Sequence, residues 1–342
     1  MRVAVIIPFW NGGRWIERAI ESVARQNRPP NEFIVVNDGS APVERAHLET
    51  LRLKHGFRVL DKENGGQGSA RNFGVFHCTS ELICFLDQDD FYLPDHIETL
   101  VSQVPSELGA FGFAYGSFHI ADEAGIVHVN HALSLDDPQL HPPPPDPVRL
   151  FGRNISILPS ASIILKSAFD AVGGFDNQFR GYEDDDLFSR MILAGFGCSY
   201  VPVPVYVWCQ HKGSTTWTAS MTVSRFKYYK KIRQRYIDEA SLTEELAVAL
   251  EDRFGRFFYK SAALNLSSAE EDKVLVWSVF SDYVEDLKQD SAPLLIRLLY
   301  RFRFAVLSYA DAPPISWWVA LKRWNRRRVD DRRLRSGRTF LS

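Results

Sequence analysis

The sequence predicts an α/β fold, a doubly wound and mostly parallel sheet, followed by a helical C-terminal extension. Three observations carry that expectation. Short apolar runs such as Val3–Ile7 and Leu82–Leu86 lack polar alternation, as strands covered on both faces require. Helical spacing alternates with such runs through residues 1–90, the pattern of βαβ units. From about Thr218 the strand pattern stops and long helical periodicities take over.

Val3 to Ile7 is the first strand, closed by the turn Pro8-Phe9-Trp10-Asn11-Gly12-Gly13. Ile16, Ala19, Ile20, Val23 and Ala24 then share one helical face, and Pro29-Pro30 stops the helix. Glu32–Val36 is the second strand and ends in Asn37-Asp38-Gly39-Ser40. A helix through Leu48 and Leu51 leads to a strand near Phe57 to Leu60. The loop Asn64-Gly65-Gly66-Gln67-Gly68 precedes a helix expected from Ser69, and the fourth strand runs into Asp87-Gln88-Asp89-Asp90. A helix is expected from Pro94, with strands at Phe113–Ile120, Ile126–Asn130, Ser160–Leu165 and Tyr200–Trp208. Gly173-Gly174-Phe175-Asp176 is a turn, and Glu183-Asp184-Asp185-Asp186 opens a helix carrying Leu187, Met191 and Ile192. The last strand delivers His211 into a Lys-Gly-Ser-Thr-Thr loop. Helical patterns follow at Phe226–Ile237, Leu242–Leu264, Asp272–Leu287 and Pro293–Ser308.

With 342 residues, 45% hydrophobic and 24% charged, the chain has the composition of a soluble globular protein. The net charge of -2 hides a split, because from Ser291 onward 12 Lys/Arg face 3 Asp/Glu. Trp317, Trp318 and Trp324 lie among Lys322, Arg323, Arg326, Arg327 and Arg328, a mixture that suits either an anionic membrane surface or a solvated tail. No nucleic-acid-binding module accompanies the charge. Cys78, Cys84, Cys198 and Cys209 are not at metal or redox spacing and read as reduced thiols. The N-terminal apolar stretch is too short for a signal peptide. The best candidate for a membrane span, Phe304 to Leu321, is broken by Asp311, Pro313 and Pro314. The expected location is cytoplasmic, with peripheral membrane docking open to the tail.

Several of the polar loops carry chemistry. Three carboxylates crowded at the end of a buried strand repel one another unless a cation joins them. Hard oxygen ligands suit Mg²⁺ or Mn²⁺, which also takes substrate phosphate oxygens; the plain alternative is a solvated helix-capping turn. Pro8 and Trp10 present a flat apolar surface to a base, and Asp38 can accept from a pyrimidine imide. The glycines of 64–68 let backbone approach a ligand, and the helix start favours anions, with Arg71 and Asn72 in its first turn. No dinucleotide fingerprint or P-loop follows the first strand. The acids at Glu183–Asp186 either cap a helix or supply a general base. His211 is a structural histidine or a ligand near a diphosphate and its metal.

In this order the motifs resemble the family 2 glycosyltransferases of the GT-A fold. The matching residues are Pro8-Phe9-Trp10-Asn11, Asn37–Ser40, the Asn64–Gly74 loop, Asp87–Asp90, Gly173–Asp176, Glu183-Asp184 with Asp186-Leu187, and His211 with Ser214-Thr215. They cover about residues 1–220. The resemblance implies that Pro8, Trp10 and Asp38 hold a nucleoside, helped by Arg71 and Asn72. It implies Asp87 at the ribose or behind the metal, Asp89 on Mn²⁺ or Mg²⁺, and His211 completing the shell. Asp184 would be the base and Glu183 would place the acceptor, in a single inverting displacement. Trp10 stands where the family often has tyrosine, and Asp185 where an aromatic is common. The expected organisation is a glycosyltransferase domain at 1–220 and a helical region with a basic tail at 221–342. Within the first, residues 1–90 would be the nucleotide-binding half and 91–220 the acceptor half. The expected reaction moves a hexosyl or N-acetylhexosaminyl group from a nucleotide-sugar, UDP-linked, to a glycan or lipid-linked glycan, as in polysaccharide biosynthesis. A non-catalytic nucleotide-sugar binder and a sugar nucleotidyltransferase are the competing readings.

Overall fold

Apolar runs without alternation become the middle of the sheet. The protein is seen in a computed structural model that describes residues 1–130, 141–211, 213–214, 218–264, 270–289, 298–300 and 302. β1 (Val3–Phe9) leads through α1 (Gly13–Ala24), β2 (Glu32–Asp38), α2 (Pro42–His55), β3 (Arg58–Lys62) and α3 (Gln67–Phe76) to β4 (Leu82–Phe85). Every residue of β1 and β4 is buried. β1 pairs in parallel with both β2 and β4, and β2 pairs in parallel with β3. The chain ends of β1, β2 and β4 therefore open on one edge, where open α/β sheets bind ligands.

The next stretch turns the sheet mixed. β5 (Phe91–Tyr92), α4 (His96–Val101), β6 (Phe111–Asp122), β7 (Val127–Val129), α5 (Pro147–Phe151), β8 (Ser162–Leu165), α6 (Lys166–Ala171), α7 (Glu183–Leu193) and β9 (Gly197–Gln210) follow in turn. Among the described residues the strands form one nine-stranded sheet in the order β3-β2-β1-β4-β8-β6-β9-β5, with β7 on β6. β8 runs antiparallel to both β4 and β6, and β9 runs parallel to β6. The expected mostly parallel, doubly wound sheet is present. β5 has only two residues, too few for a periodic signal, and the sequence pattern missed it.

Two local features explain how β9 reaches the site. Its pairing with β6 shifts register between Gly116 and Ser117, where Val201 and then Pro204 are the partners. Pro202 and Pro204 have no N–H to give the ladder, so a bulge forms there. A Cβ on Gly116 would lie 2.7 Å from Val205 Cγ1, so only glycine leaves the bulge its room. Beyond it β9 continues to Gln210, and His211 comes next.

The chain divides into two compact units, Met1–Ser224 and a second from Arg225 onward. In the second, α9 (Glu244–Leu264) packs on α10 (Glu270–Gln289), and α8 (Ala219–Asp238) crosses the boundary. Glu251, 0% exposed, is the polar centre of that unit and accepts from Tyr229 Oη at 2.7 Å and Tyr283 Oη at 2.5 Å. Nearly all of the expected helix Pro293–Ser308, and all of the basic tail, lie outside the described residues. Among the described residues no helix is long and apolar enough to cross a membrane.

Gly74 of α3 lies against β1 and β2; a Cβ there would be 2.5 Å from Ile6 Cγ2 and 3.2 Å from Val36 Cγ2. Gly74→Val therefore overpacks the core and should cost about 1–3 kcal/mol. A lowered urea midpoint with an unchanged slope checks it.

Candidate functional site

The edge formed by β1, β2 and β4 gathers the motif loops. Phe85 ends β4 and the acidic turn Asp87–Asp90 follows, closed by a bond from Asp90 N to Asp87 O of 3.1 Å. Within this turn the acids divide their work. Asp90 is buried and accepts from Cys209 N at 2.8 Å, tying the turn to the last residues of β9. Asp89 meets His211, with Oδ2 2.8 Å from Nε2. Burial pushes the Asp89 carboxyl up, Asp87 adds to it, and the His211 contact opposes it. Burial and then Asp89 and Asp87 hold the Asp90 carboxyl well above its usual range.

His211 is braced by its surroundings. Trp15 of α1 stacks on it with centroids 4.3 Å apart. Gly213 N–H donates to Nδ1 at 3.1 Å, so Nε2 carries the proton here and donates to Asp89. A carboxylate oxygen and an imidazole nitrogen at this separation fit a Mn²⁺- or Mg²⁺-type ion, provided Nε2 gives up its proton. Among the described residues one group of three acid or histidine ligands comes close enough to hold an ion, Glu17, Glu21 and His55. Lys54 Nζ already sits there, 2.8 Å from Glu17 and 3.5 Å from Glu21. Asp89 and His211 would thus be the protein's ligands, with substrate oxygens filling the remaining positions.

On the β2 side, Asp38 is buried and organises the glycine loop. It accepts from Lys62 Nζ at 2.7 Å, Gly65 N at 2.9 Å and Gly66 N at 2.8 Å. Three of the roughly four acceptor sites of a carboxylate are thereby taken, leaving one. Gly65 and Gly66 thus spend their N–H groups on the protein itself. Gly68 faces Phe175 and Glu183, and a Cβ there would make ordinary contact with them at 3.4 Å and 3.8 Å. Trp10 remains 55% exposed at the end of β1. Pro8 is buried within β1.

Arg71 and Asn72 are placed differently from the sequence reading: α3 starts at Gln67, and both side chains are bonded to other parts of the protein. Arg71 is 1% exposed and points into the protein. Its Nη2 bonds Asp87 Oδ1 at 2.5 Å and its Nη1 bonds Glu183 Oε1 at 2.9 Å. Burial works against this charge, and Asp87 with Glu183 outweighs burial, holding the guanidinium above its ordinary range. Asn72 grips the turn at 173–176, accepting from Phe175 N at 2.9 Å and donating to Phe175 O at 2.8 Å.

That turn launches α7. Arg190 secures it, with Nη2 2.6 Å from Gly174 O and Nε 2.8 Å from Asp186 Oδ2. Of the four acids in the first turn of α7, Glu183, Asp185 and Asp186 are buried and Asp184 alone is half-buried. Burial, then Glu183 and Asp185, push the Asp184 carboxyl well above its ordinary range. Glu183 Oε1 also accepts from Gln67, while the buried Oε2 has no partner among the described residues. The buried Tyr206 phenol is raised by burial first and then by Asp90, Asp87 and Asp184, so the two acidic clusters border one region.

Sequence reasoning missed Gln67, Lys62, Trp15 and Ser160, whose Oγ accepts from Asp87 N at 3.2 Å. Lys62, Trp15 and Ser160 lie outside the motifs and Gln67 lies inside the Asn64–Gly74 loop, and each acts on a residue distant in the chain or in a different element. Arg71→Met would leave two carboxylates facing each other without their cation. Its expected cost is about 3–5 kcal/mol, measured by urea denaturation.

Residues 4–122 match the family described as glycosyl transferase family 2, and residues 156–212 match the N-terminal domain of galactosyltransferase. An uncharacterized glycosyltransferase of Rickettsia felis is 30% identical over 201 residues, 56% of this chain and 31% of that protein. The uncharacterized glycosyltransferase YwdF of Bacillus subtilis is 24% identical over 258 residues, 74% of this chain and 90% of that protein. The chain spans less than two thirds of the length of the Rickettsia relatives it matches. In fold it is similar to S. aureus TarS 1-349 in complex with UDP-GlcNAc, with a TM-score of 0.59 at 18% identity, covering 96% and 92% of the two chains. It is also similar to the mannosyltransferase PcManGT from Pyrobaculum calidifontis in complex with GDP-Man and Mn2+, with a TM-score of 0.53 at 15% identity, covering 94% and 84%. Over residues 4–122 this chain matches the family 2 glycosyltransferases, and its fold is that of the GT-A enzymes.

Proposed function

We propose that this chain transfers a sugar, with inversion, from a UDP-linked donor to a hydroxyl of a glycan or lipid-linked glycan. The observation that carries the reading is the Arg71 bridge. One buried guanidinium holds Asp87 of the acidic turn and Glu183 of the α7 start on its two sides. A donor at the turn and a base at the helix then share one cleft. The solved complexes of TarS with UDP-GlcNAc and UDP support a UDP-sugar, and that of PcManGT with GDP-Man and Mn2+ supports a divalent ion.

In this reading residues 1–90 bind the nucleotide and 91–220 face the acceptor. The base stacks on Trp10 and uses the open acceptor site of Asp38. Asp89 and His211 hold Mn²⁺ or Mg²⁺, which supplies positive charge against the departing diphosphate. Asp184 takes the proton of the acceptor hydroxyl while its oxygen bonds the anomeric carbon and the carbon–phosphate oxygen bond breaks. The raised pKa of Asp184 strengthens it as a base. Glu183 Oε2, buried without a partner among the described residues, accepts from a sugar hydroxyl and so places it. The four thiols are free, which fits a reducing cytoplasm. On composition alone we assign the basic, tryptophan-bearing tail to an anionic membrane surface.

Purified protein with Mn²⁺ and a panel of nucleotide sugars should transfer or hydrolyse its donor. Asp184→Asn should slow transfer by about 10²–10⁴-fold while keeping UDP binding, and Asp89→Ala should abolish the metal dependence. Unchanged rates in both variants would remove this mechanism. UDP binding without turnover over many acceptors would point to a non-catalytic binder.

Asp184 also has a signature in stability. Its carboxyl is raised above the ordinary 3.8, so the fold favours the protonated form and loses stability as pH rises through the raised value. Asp184→Asn should therefore melt at a higher temperature than the parent in alkaline buffer. The gap should close as pH falls toward 3.8, which a thermal melt series reads directly.

A further inference from the structure

Gln88 lies between Asp87 and Asp89, and the mechanism above gives it no part. Its amide is nevertheless fully engaged with one distant residue. Trp10 N–H donates to Gln88 Oε1 at 2.9 Å, and Gln88 Nε2 donates to Trp10 O at 3.2 Å. Both backbone polar groups of Trp10 are held by this one side chain. Trp10 is 55% exposed, so side-chain packing does little to aim its ring.

Gly12 makes room for the clamp. A Cβ there would lie 2.3 Å from Gln88 Cδ, yet Gly12 has a φ of -110°, open to any residue. Space for the amide, and not backbone conformation, demands glycine at this position. The far side of the turn is anchored as well. Arg18 Nη2 donates to Asp89 O at 2.8 Å, and Asp90 receives Cys209 N at 2.8 Å. A short turn braced at several points moves as one piece. Asp87 is held by Arg71 and Asp89 by His211, so a cation at Asp89 would act on a turn whose acids are already tied to other elements.

We propose that Gln88 is a positioning residue that couples the cation at Asp89 to the stacking surface of Trp10, so that metal binding tightens nucleoside binding. The inference rests on the nucleotide-and-metal reading given above. Uridine separates the two ideas, because it has no phosphate to bridge to the ion. Any effect of the metal on uridine must pass through the protein, and the effect is reciprocal.

The test is a tryptophan-fluorescence titration of the full chain with uridine and with UDP, each with and without Mg²⁺. In the parent, Mg²⁺ should tighten uridine by about fivefold or more. In Gln88→Ala and, independently, Gly12→Ala, that factor should fall to near unity while UDP keeps its direct dependence on Mg²⁺. Gly12→Ala leaves every acid in place and displaces only the amide. An unchanged uridine affinity in the parent, or a full parental factor in both variants, overturns the coupling. Failure of UDP to bind the parent with Mg²⁺ overturns the donor reading and the coupling with it.

Discussion

The site depends on one buried charge. Arg71 is nearly inaccessible to water, and a guanidinium in that position is tolerable only when carboxylates face it. Asp87 and Glu183 fill that need from elements 16 and 112 residues away in the chain. The bridge therefore sets the distance between two clusters that the chain itself separates widely. It also orients Asp87 and Glu183, leaving Asp89 and Asp184 as acids that the bridge does not hold.

Both acidic clusters follow the same division. In the turn after β4, Asp90 is buried and secures β9, while Asp89 faces His211. At the start of α7, Asp186 secures Arg190 and the preceding glycine turn, while Asp184 keeps contact with solvent. Burial first, and then the neighbouring acids, raise the carboxyls of Asp89 and Asp184. In the proposed mechanism, a metal at one cluster and a proton acceptor at the other would be the two chemical uses of this arrangement. Runs of acids in this chain are thus partly scaffold and partly chemistry.

Much of the fold was legible because strand and helix periodicities differ so plainly in the first ninety or so residues. The loops at the ends of β1, β2 and β4 were readable for the same reason. Side-chain direction was not readable. Arg71 and Asn72 looked like ligand contacts in a first helical turn, but Arg71 is buried on Asp87 and Glu183 and Asn72 is spent on Phe175. Asp38 looked free to read a base, but Lys62 and two glycine amides occupy most of it. Gln88 carried no signal at all, since its importance lies in reaching Trp10, 78 residues earlier.

What the sequence determined by itself is the set of apolar periods, the order of the loops and the resemblance to a family. These follow from local patterns, which any contiguous stretch carries. Tertiary structure decided which acids are buried, which amides are consumed internally and which side chains meet across the cleft. Those outcomes depend on hydrogen-bond partners and desolvation contributed by residues far away in the chain, and no local pattern records them.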